Sequence, residues 1–300
     1  MLKRNMWMVG LGCLLLLLSR VEAQGFEDLV SKYTSENGQK FMQPLGDVFG
    51  ANLNSGWYHG AHISAIGLHV ELGVKGMVAL IGEKQKTFTA ETDPGFYPPT
   101  EVEVPTVFGK REIVEVQGKN QSTGLPSGAV CAFPGGMNAK MIPIAVPQVT
   151  VGGILGTEVS IRWLAYNLNE DFGRLSMTGV GIRHSISQYI PLCPVDLAVG
   201  GFMQNFKMGD IVEAKTLAFG AQGSKSFSVL TLYGGIGYEN SSLKIHYEDD
   251  DGETVNFDLT GSNKVRMTVG AALRLAVLTL HADYNISNQN VLVVGIGLGN

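Results

Sequence analysis

The feature that most constrains this chain is an alternation of apolar and polar side chains, with a period of two residues, that runs from Gly60 to the C-terminus. Side chains alternate in this way along a β-strand because successive residues point to opposite faces. Within residues 264–275, for example, the apolar Val265 and the charged Arg266 begin two rows on opposite faces. The pattern predicts an all-β chain whose strands have one apolar and one polar face.

Turn-forming residues divide this region into about 14 runs of strand length. Many runs approach the ~10 residues with which a tilted strand crosses the hydrocarbon layer of a membrane. Consecutive antiparallel strands leave no unpaired edge when they close into a barrel. We therefore predict an antiparallel up-and-down transmembrane β-barrel of about 14 strands, preceded by short N-terminal helices. The runs are residues 61–70, 73–82, 111–117, 146–152, 157–167, 174–187, 196–206, 211–221, 226–238, 242–248, 254–260, 264–275, 277–285 and 291–299.

Residues 1–23 are typical of a secretion signal and are left out of the fold prediction. Lys3 and Arg4 form a basic start, an apolar run follows over residues 6–18, and Ala23 ends a small-residue cleavage site. The apolar run is shorter than the ~20 residues of a membrane-spanning helix. Later segments of that length are interrupted by glycine or charge, so we expect any contact with a membrane to be made by strands.

The composition agrees with an exported all-β chain. With 39 glycines, 16% charged residues and 45% hydrophobic residues, it fits exposed apolar strands better than a soluble enzyme. The net charge of -5 argues against a nucleic-acid partner, because such a partner calls for clustered Lys and Arg. Cys131 and Cys193 would lie in an oxidising compartment, where they could pair, but nothing in the sequence fixes the distance between them.

Two stretches depart from the alternation. Residues 24–56 carry helical signals, because apolar residues recur at helical spacing over residues 26–33 and Pro44 is a favoured first residue of a second helix. We interpret residues 24–56 as a helical cap on one barrel end or, alternatively, as a plug in the lumen. Residues 83–145 contain seven prolines, a residue confined to strand edges and loops, so we expect long loops there within a barrel spanning residues 57–300.

A family resemblance is carried by two short stretches ahead of the strands. They are residues 41–46, with the sequence FMQPLG, and residues 54–59, with the sequence NSGWYH, which lead into the alternating run 67–81. Together with the closing strand at residues 291–299, they resemble the exported proteins of Bacteroidota that are grouped as a domain of unknown function, DUF6588. The resemblance covers nearly all of the chain beyond the signal.

This resemblance implies a fold, a location and partners. The family is similar to outer-membrane barrels, and N-terminal helices followed by about 14 strands resemble the architecture of the FadL-type long-chain fatty acid channels. The implied location is the outer membrane, with the periplasm or secretion as the alternative. The implied partners are outer-membrane lipid and the barrel assembly machinery, which usually recognises a terminal aromatic residue where this chain has Asn300.

Charged residues at polar-face positions of the predicted strands are the candidates for the barrel lumen. A stripe of such cations could attract an anionic solute or a fatty carboxylate. The alternative is an internal network of salt bridges that braces the wall, because buried charges must be paired. The candidates are Arg162, Arg183, Arg266, Arg274 and Glu158.

Other patterns are weaker indications of chemistry. The acidic run 249–253 has oxygen ligands that suit calcium, but Asp-Gly between two alternating runs is the usual signal of a hairpin turn. The pairs His69 with Glu71 and His281 with Asp283 share strand faces by geometry alone. We assign no catalytic residue, metal site or cofactor from these patterns.

The sequence therefore predicts a binding or transport barrel and not an enzyme. We expect its solutes to be small, and hydrophobic and anionic ligands are among the candidates. A structural or surface-interaction barrel that uses residues 83–145 is the first alternative. A barrel-borne hydrolase is the second, although its candidates His184 and Ser185 are adjacent and would face opposite sides of a strand.

Overall fold

The computed structural model of the protein describes five stretches of the chain, which are residues 35–92, 101–120, 122–167, 173–248 and 254–299. Three of the expectations lie outside these residues. They concern the secretion signal at 1–23, the helix at 26–33 and the acidic run at 249–253.

One α-helix, 15 strands and two short 3₁₀ helices (Glu83–Gln85 and Ser187–Tyr189) make up the described fold. The helix is α1 (Ser35–Leu53). The strands are β1 (Ile66–Leu80), β2 (Thr87–Glu91), β3 (Glu101–Pro105), β4 (Val114–Lys119), β5 (Pro126–Phe133), β6 (Met141–Ile154), β7 (Thr157–Asn167), β8 (Arg174–Ser185), β9 (Asp196–Met208), β10 (Val212–Phe227), β11 (Leu230–Glu248), β12 (Thr254–Thr260), β13 (Val265–Leu275), β14 (Leu278–Ile286) and β15 (Val291–Gly299). No helix among the described residues has the length and apolar character needed to cross a membrane.

Ten of the strands form a closed antiparallel barrel. Their order around the wall is β1, β6, β7, β8, β9, β10, β11, β13, β14 and β15, and β15 pairs with β1 to complete the circle. The predicted all-β antiparallel barrel is therefore confirmed. The predicted count of about 14 strands is wrong, because the barrel has ten, with β12 pairing outside it on the far end of β11.

The difference in strand number has a physical explanation. The runs predicted at 61–70 and 73–82 are one strand, β1, and those at 226–238 and 242–248 are one strand, β11. Gly73 lies inside β1 and does not mark a turn. A Cβ atom at this position would lie 2.7 Å from the carbonyl oxygen of Ile296, so glycine allows the neighbouring strand to approach closely. The runs at 111–117 and 254–260 correspond to β4 and β12, which pair outside the barrel wall.

The barrel wall is apolar on the outside and polar on much of the inside. On β8, for example, Val180 and Ile182 are exposed on the outer face, whereas Arg183 is buried on the inner face. The same arrangement holds on β13, where Val269 points outward and Arg266 inward. This is the inverse of a soluble sandwich, in which the enclosed face is apolar and the exterior is wet.

The two rims of the barrel differ in their connections. At one rim, which we call the short-turn end, three pairs of strands are joined by two residues each, and one of these turns has positive φ at both Leu155 (52°) and Gly156 (64°). That conformation belongs to the tight turns that suit the twist of a hairpin. At the other rim, the long-loop end, residues 81–140 are inserted between β1 and its barrel neighbour β6.

The insertion at 81–140 packs against α1. It contains the hairpins β2–β3 and β4–β5, whose shared apolar cluster includes Ala90, Val104 and Phe133. The amide of Val107 donates to the carbonyl of Phe41 in α1 at 3.1 Å. The insertion thereby surrounds the outer part of the helix at the long-loop end.

The N-terminal part of the described chain runs through the barrel interior. From the long-loop end, α1 packs against inward residues of the wall in an apolar core that includes Met77, Ile144 and Leu243. Residues 54–60, which we call the lumen segment, continue through the interior and reach the short-turn end, where β1 begins. Of the two alternatives, cap and plug, these contacts are those of a plug. The helix begins at Ser35 and contains Pro44 in its interior, so the prediction that Pro44 starts a helix is wrong.

The two cysteines lie at opposite ends of the barrel. Cys131 belongs to β5 in the insertion, whereas Cys193 lies in the connection between β8 and β9 at the short-turn end. No disulfide joins them.

Candidate functional site

The site is built around the lumen segment, whose aromatic residues lie across the middle of the barrel. The Trp57 ring stacks on Phe202 with centroids 5.2 Å apart. Two glycines of β8 make room for it, since a Cβ atom at Gly179 would lie 2.9 Å from the Trp57 ring and one at Gly181 would lie 3.1 Å from it. The wall and the segment are therefore shaped to each other at this level.

Arg162 holds the segment from β7. Its side chain is fully buried and donates to the carbonyls of Leu53 (3.3 Å) and Ser55 (2.9 Å). It also donates to the side-chain oxygens of Gln148 and Gln204, each at 2.9 Å. The guanidinium lies 3.7 Å from the centre of the Trp57 ring. These oxygens are neutral, so the charge is satisfied by hydrogen bonds and by the ring face.

Arg266 holds the same stretch from β13. It forms an ion pair with Glu239 at 2.7 Å and donates to the Ser55 hydroxyl at 2.7 Å and to the Ala51 carbonyl at 2.9 Å. Two buried arginines from opposite parts of the wall thus converge on residues 51–55. Buried cations require such partners, because an unpaired charge is costly in a low-dielectric interior.

A group of ionisable residues surrounds His59 below the mouth of the short-turn end. The fully buried Lys75 ammonium lies 3.0 Å from Nε2 of His281 and 3.5 Å from the Glu71 carboxylate. The His59 ring lies 3.3 Å from Glu71 and stacks on the His281 ring with centroids 5.2 Å apart. Deeper in the wall, Asp283 accepts a hydrogen bond from Tyr233 at 2.9 Å.

Beyond the lumen segment, the short-turn end contains a cavity of about 220 Å³, which we call the end chamber. Its floor includes Trp57, Tyr58 and His59. Its wall includes the ion pair between Arg183 and Glu158, whose closest atoms are 2.6 Å apart. Hydroxyl side chains also line the chamber, among them Ser224, Ser226, Ser228, Thr231 and Thr279.

The five predicted lumen residues take different positions in this arrangement. Arg162 and Arg266 hold the lumen segment, and Arg183 with Glu158 forms the buried pair of the chamber wall. Arg274 is exposed and lines the chamber at its mouth. Three of the five residues therefore take part in interior salt bridges, and Arg274 alone of the five faces solvent.

Sequence reasoning missed several residues of the site. Lys75 has a detectable signal, because it lies on the same strand face as Glu71, four residues away. Trp57 and His59 have none, because they belong to no strand and their position depends on the path of residues 54–60 through the barrel.

The hydrolase candidates are not brought together. His184 contacts the hydroxyls of Thr157 (2.8 Å) and Tyr189 (2.9 Å), whereas Ser185 is buried on the opposite face and contacts Ser187. Among the described residues, no group of three or more His, Cys, Asp or Glu side chains is arranged to hold a metal ion.

The family of unknown function DUF6588 matches residues 2–300. The chain belongs to DUF6588. No curated protein matches this DUF6588 chain.

Solved structures similar to this DUF6588 chain are outer-membrane barrels at very low identity. OmpT, an outer membrane protein of Vibrio cholerae, is 9% identical, with 78% of this chain and 98% of that chain covered and a TM-score of 0.27. Ail, the attachment invasion locus protein of Yersinia pestis, is 9% identical, with 78% and 99% covered and a TM-score of 0.28. The toluene transporter TbuX of Ralstonia pickettii is 8% identical, with 86% and 98% covered and a TM-score of 0.25. At these scores the likeness says nothing about what the DUF6588 chain binds.

Proposed function

We propose that the protein is an outer-membrane barrel that binds a small polar solute in the end chamber, while its own N-terminal segment occupies the rest of the lumen. The observation that carries the proposal is a cavity of about 220 Å³, lined by charged and hydroxyl side chains, inside a barrel whose outer face is apolar. Cavities that bind small ligands are concave and contain a few converging polar groups. The end chamber has both properties.

The outer surface supports the membrane part of the proposal. Large apolar side chains such as Leu72, Ile236 and Leu298 are more than half exposed on the outside of the wall. A soluble protein rarely exposes a continuous apolar band of this kind, whereas a lipid-facing barrel requires one. Outer-membrane barrels have short turns on the periplasmic side and longer loops outside. By that rule the end chamber opens toward the periplasm.

The filled lumen favours binding over free conduction. The half of the interior near the long-loop end is packed with apolar side chains from α1 and the wall, including Phe41, Val48 and Phe206. The polar lining of the chamber favours a polar solute over a long hydrophobic one. We also propose that the barrel acts by binding and not by catalysis.

Filling the chamber tests this proposal. Ala272 is buried in the chamber lining, whereas its neighbour Ala271 faces outward on the same strand. We expect Ala272→Trp to abolish the binding of small polar fragments, detected by ligand-observed NMR on the purified barrel in detergent. The matched control Ala271→Trp should bind as the wild type does. Equal binding by both variants would contradict the chamber as the site.

Fractionation tests the location separately. We expect the full-length chain in the outer-membrane fraction, with a gel mobility that changes on boiling as a closed barrel opens. Recovery as a soluble periplasmic or secreted protein would overturn the membrane proposal.

A second role, in contacts with other macromolecules, is favoured by the insertion. The β4–β5 hairpin and its flanks expose the apolar residues Ile113, Leu125 and Val130 at the long-loop end. Replacing the hairpin with a Gly-Ser linker should leave fragment binding in the chamber intact while it removes any surface partner recovered by crosslinking on cells.

A further inference from the structure

When Lys75 behind the lining is counted, the end chamber has one more cation than it has carboxylates among the described residues. The carboxylates in its lining are Glu71 and Glu158, and its arginines are Arg183 and Arg274. Behind the lining, Lys75 lies 3.5 Å from Glu71. Each carboxylate therefore has a buried cation of its own, because Glu158 pairs with Arg183 at 2.6 Å.

Among the described cations at the end chamber, Arg274 is the one left without a carboxylate partner, whereas the deeper Arg162 is satisfied by neutral oxygens. Interior ion pairs join Lys75, Arg183 and Arg266 to carboxylates, but none within the described residues involves Arg274. Two histidines near the mouth also contact carboxylates. His69 lies 3.8 Å from Glu158, and His62 holds Asp196 at 3.0 Å.

Hydroxyl groups lie beside Arg274. Its partner across the strand pair is Thr279, which also lines the chamber. Thr231 lies on β11, which pairs with β13, and its hydroxyl is 2.9 Å from that of Ser226 on β10, the next strand around the wall. A guanidinium with nearby hydroxyl donors matches a carboxylate, because the planar guanidinium can donate two parallel hydrogen bonds to the two oxygens.

We propose that the solute of the end chamber is a small monocarboxylate whose carboxylate binds Arg274. This inference rests on the function proposed above and names the class of its solute. The volume of about 220 Å³ sets the size, since it equals that of about seven water molecules at ~30 Å³ each. An acid the size of lactate or benzoate fits this space, whereas a long fatty acyl chain does not.

The first test measures the charge preference of the chamber. A single reporter thiol is introduced as Ser226→Cys in a full-length chain whose other cysteines are replaced by serine. It is labelled with an anionic methanethiosulfonate carrying a sulfonate and with a cationic one carrying a trimethylammonium group. We expect Arg274→Gln to lower the anion-to-cation ratio of labelling rates by about tenfold, because a fixed charge at the mouth concentrates counter-ions.

Two controls accompany this test. Lys225→Gln removes one positive charge from the same end of the barrel, but on the outer face, and should leave the ratio unchanged. Arg274→Lys keeps the charge and should retain most of the preference. A ratio that does not change in Arg274→Gln, or that falls as far in Lys225→Gln, would overturn the proposal.

The second test uses matched pairs of acid and amide. Lactate and benzoate should slow labelling of the reporter by neutral methyl methanethiosulfonate, whereas lactamide and benzamide should not. Equal protection by the amides would overturn the monocarboxylate while leaving a solute-binding chamber in place. Protection by none of the four probes would also overturn it, and the fragment screen with Ala272→Trp then decides separately whether the chamber binds any solute.

Discussion

Removing the Arg162 side chain should release the lumen segment. We consider Arg162→Met, which keeps an unbranched apolar stem and removes the guanidinium with its charge and donors. Two of the lost hydrogen bonds go to the carbonyls of Leu53 and Ser55, at 3.3 and 2.9 Å. Hydrogen bonds to a charged group contribute roughly 1.5–3 kcal/mol each, and a buried carbonyl left without a donor adds a similar cost.

Part of this loss is offset, because the variant no longer buries a charge. A net loss of about 3 kcal/mol for the segment remains after this offset. Since 1.4 kcal/mol corresponds to a tenfold change in an equilibrium constant, this loss raises the population of molecules with a displaced segment about 100-fold.

Hydrogen exchange measured by mass spectrometry checks this value. Amides of residues 51–60 should exchange about 100-fold faster in Arg162→Met, while the wall strands keep their protection. Single-channel recording should also show openings that the wild type lacks. The control is Arg174→Met, because Arg174 is the first residue of β8 and its side chain is exposed. Exchange within threefold of the wild type would refute the role of Arg162 in holding the segment.

Three further predictions concern the wall. Gly179→Val should lower the free energy of unfolding by about 1–3 kcal/mol, because its Cβ atom would lie 2.9 Å from the Trp57 ring. Urea unfolding followed by Trp fluorescence measures this change, and an unchanged midpoint would contradict the importance of the contact. Val269→Arg, on the exposed outer face, should cost about 2–4 kcal/mol in lipid vesicles but far less in a soluble protein, so a small cost would argue against lipid contact. Glu158→Gln should cost about 3–5 kcal/mol, because it leaves Arg183 buried without its carboxylate, and an unchanged urea midpoint would contradict that pairing.

The alternation of side chains was sufficient to predict the barrel wall. The run predicted at 157–167 has the bounds of β7, and that at 254–260 has the bounds of β12. Parity alone also indicated which side chains lie on opposite faces, as with Val265 and Arg266. What parity cannot indicate is whether a strand belongs to the closed wall. Phe257 and Leu259 of β12 alternate as barrel residues do, yet they pack beside α1 in the core at the long-loop end.

The candidate site was less predictable, for a different reason. Its charged wall residues lie on strands and could be found from their spacing. Its floor belongs to residues 54–60, whose place is fixed by contacts distant in sequence, such as that of Ser55 with Arg162 and Arg266. The short sequence NSGWYH contains no periodicity from which such a path could be inferred. The size and polarity of the end chamber therefore became apparent only in three dimensions.

The path of the lumen segment through the barrel interior has a consequence for assembly. The lumen segment precedes β1 in the chain. The pairing of β1 with β15 is the last strand pairing that the order of synthesis allows. When this seam closes, it encloses the lumen segment, which already lies along the inner surface of the wall. The wall and the lumen segment must therefore fold together. If the wall closed first, the segment could enter the interior only through one end of the barrel.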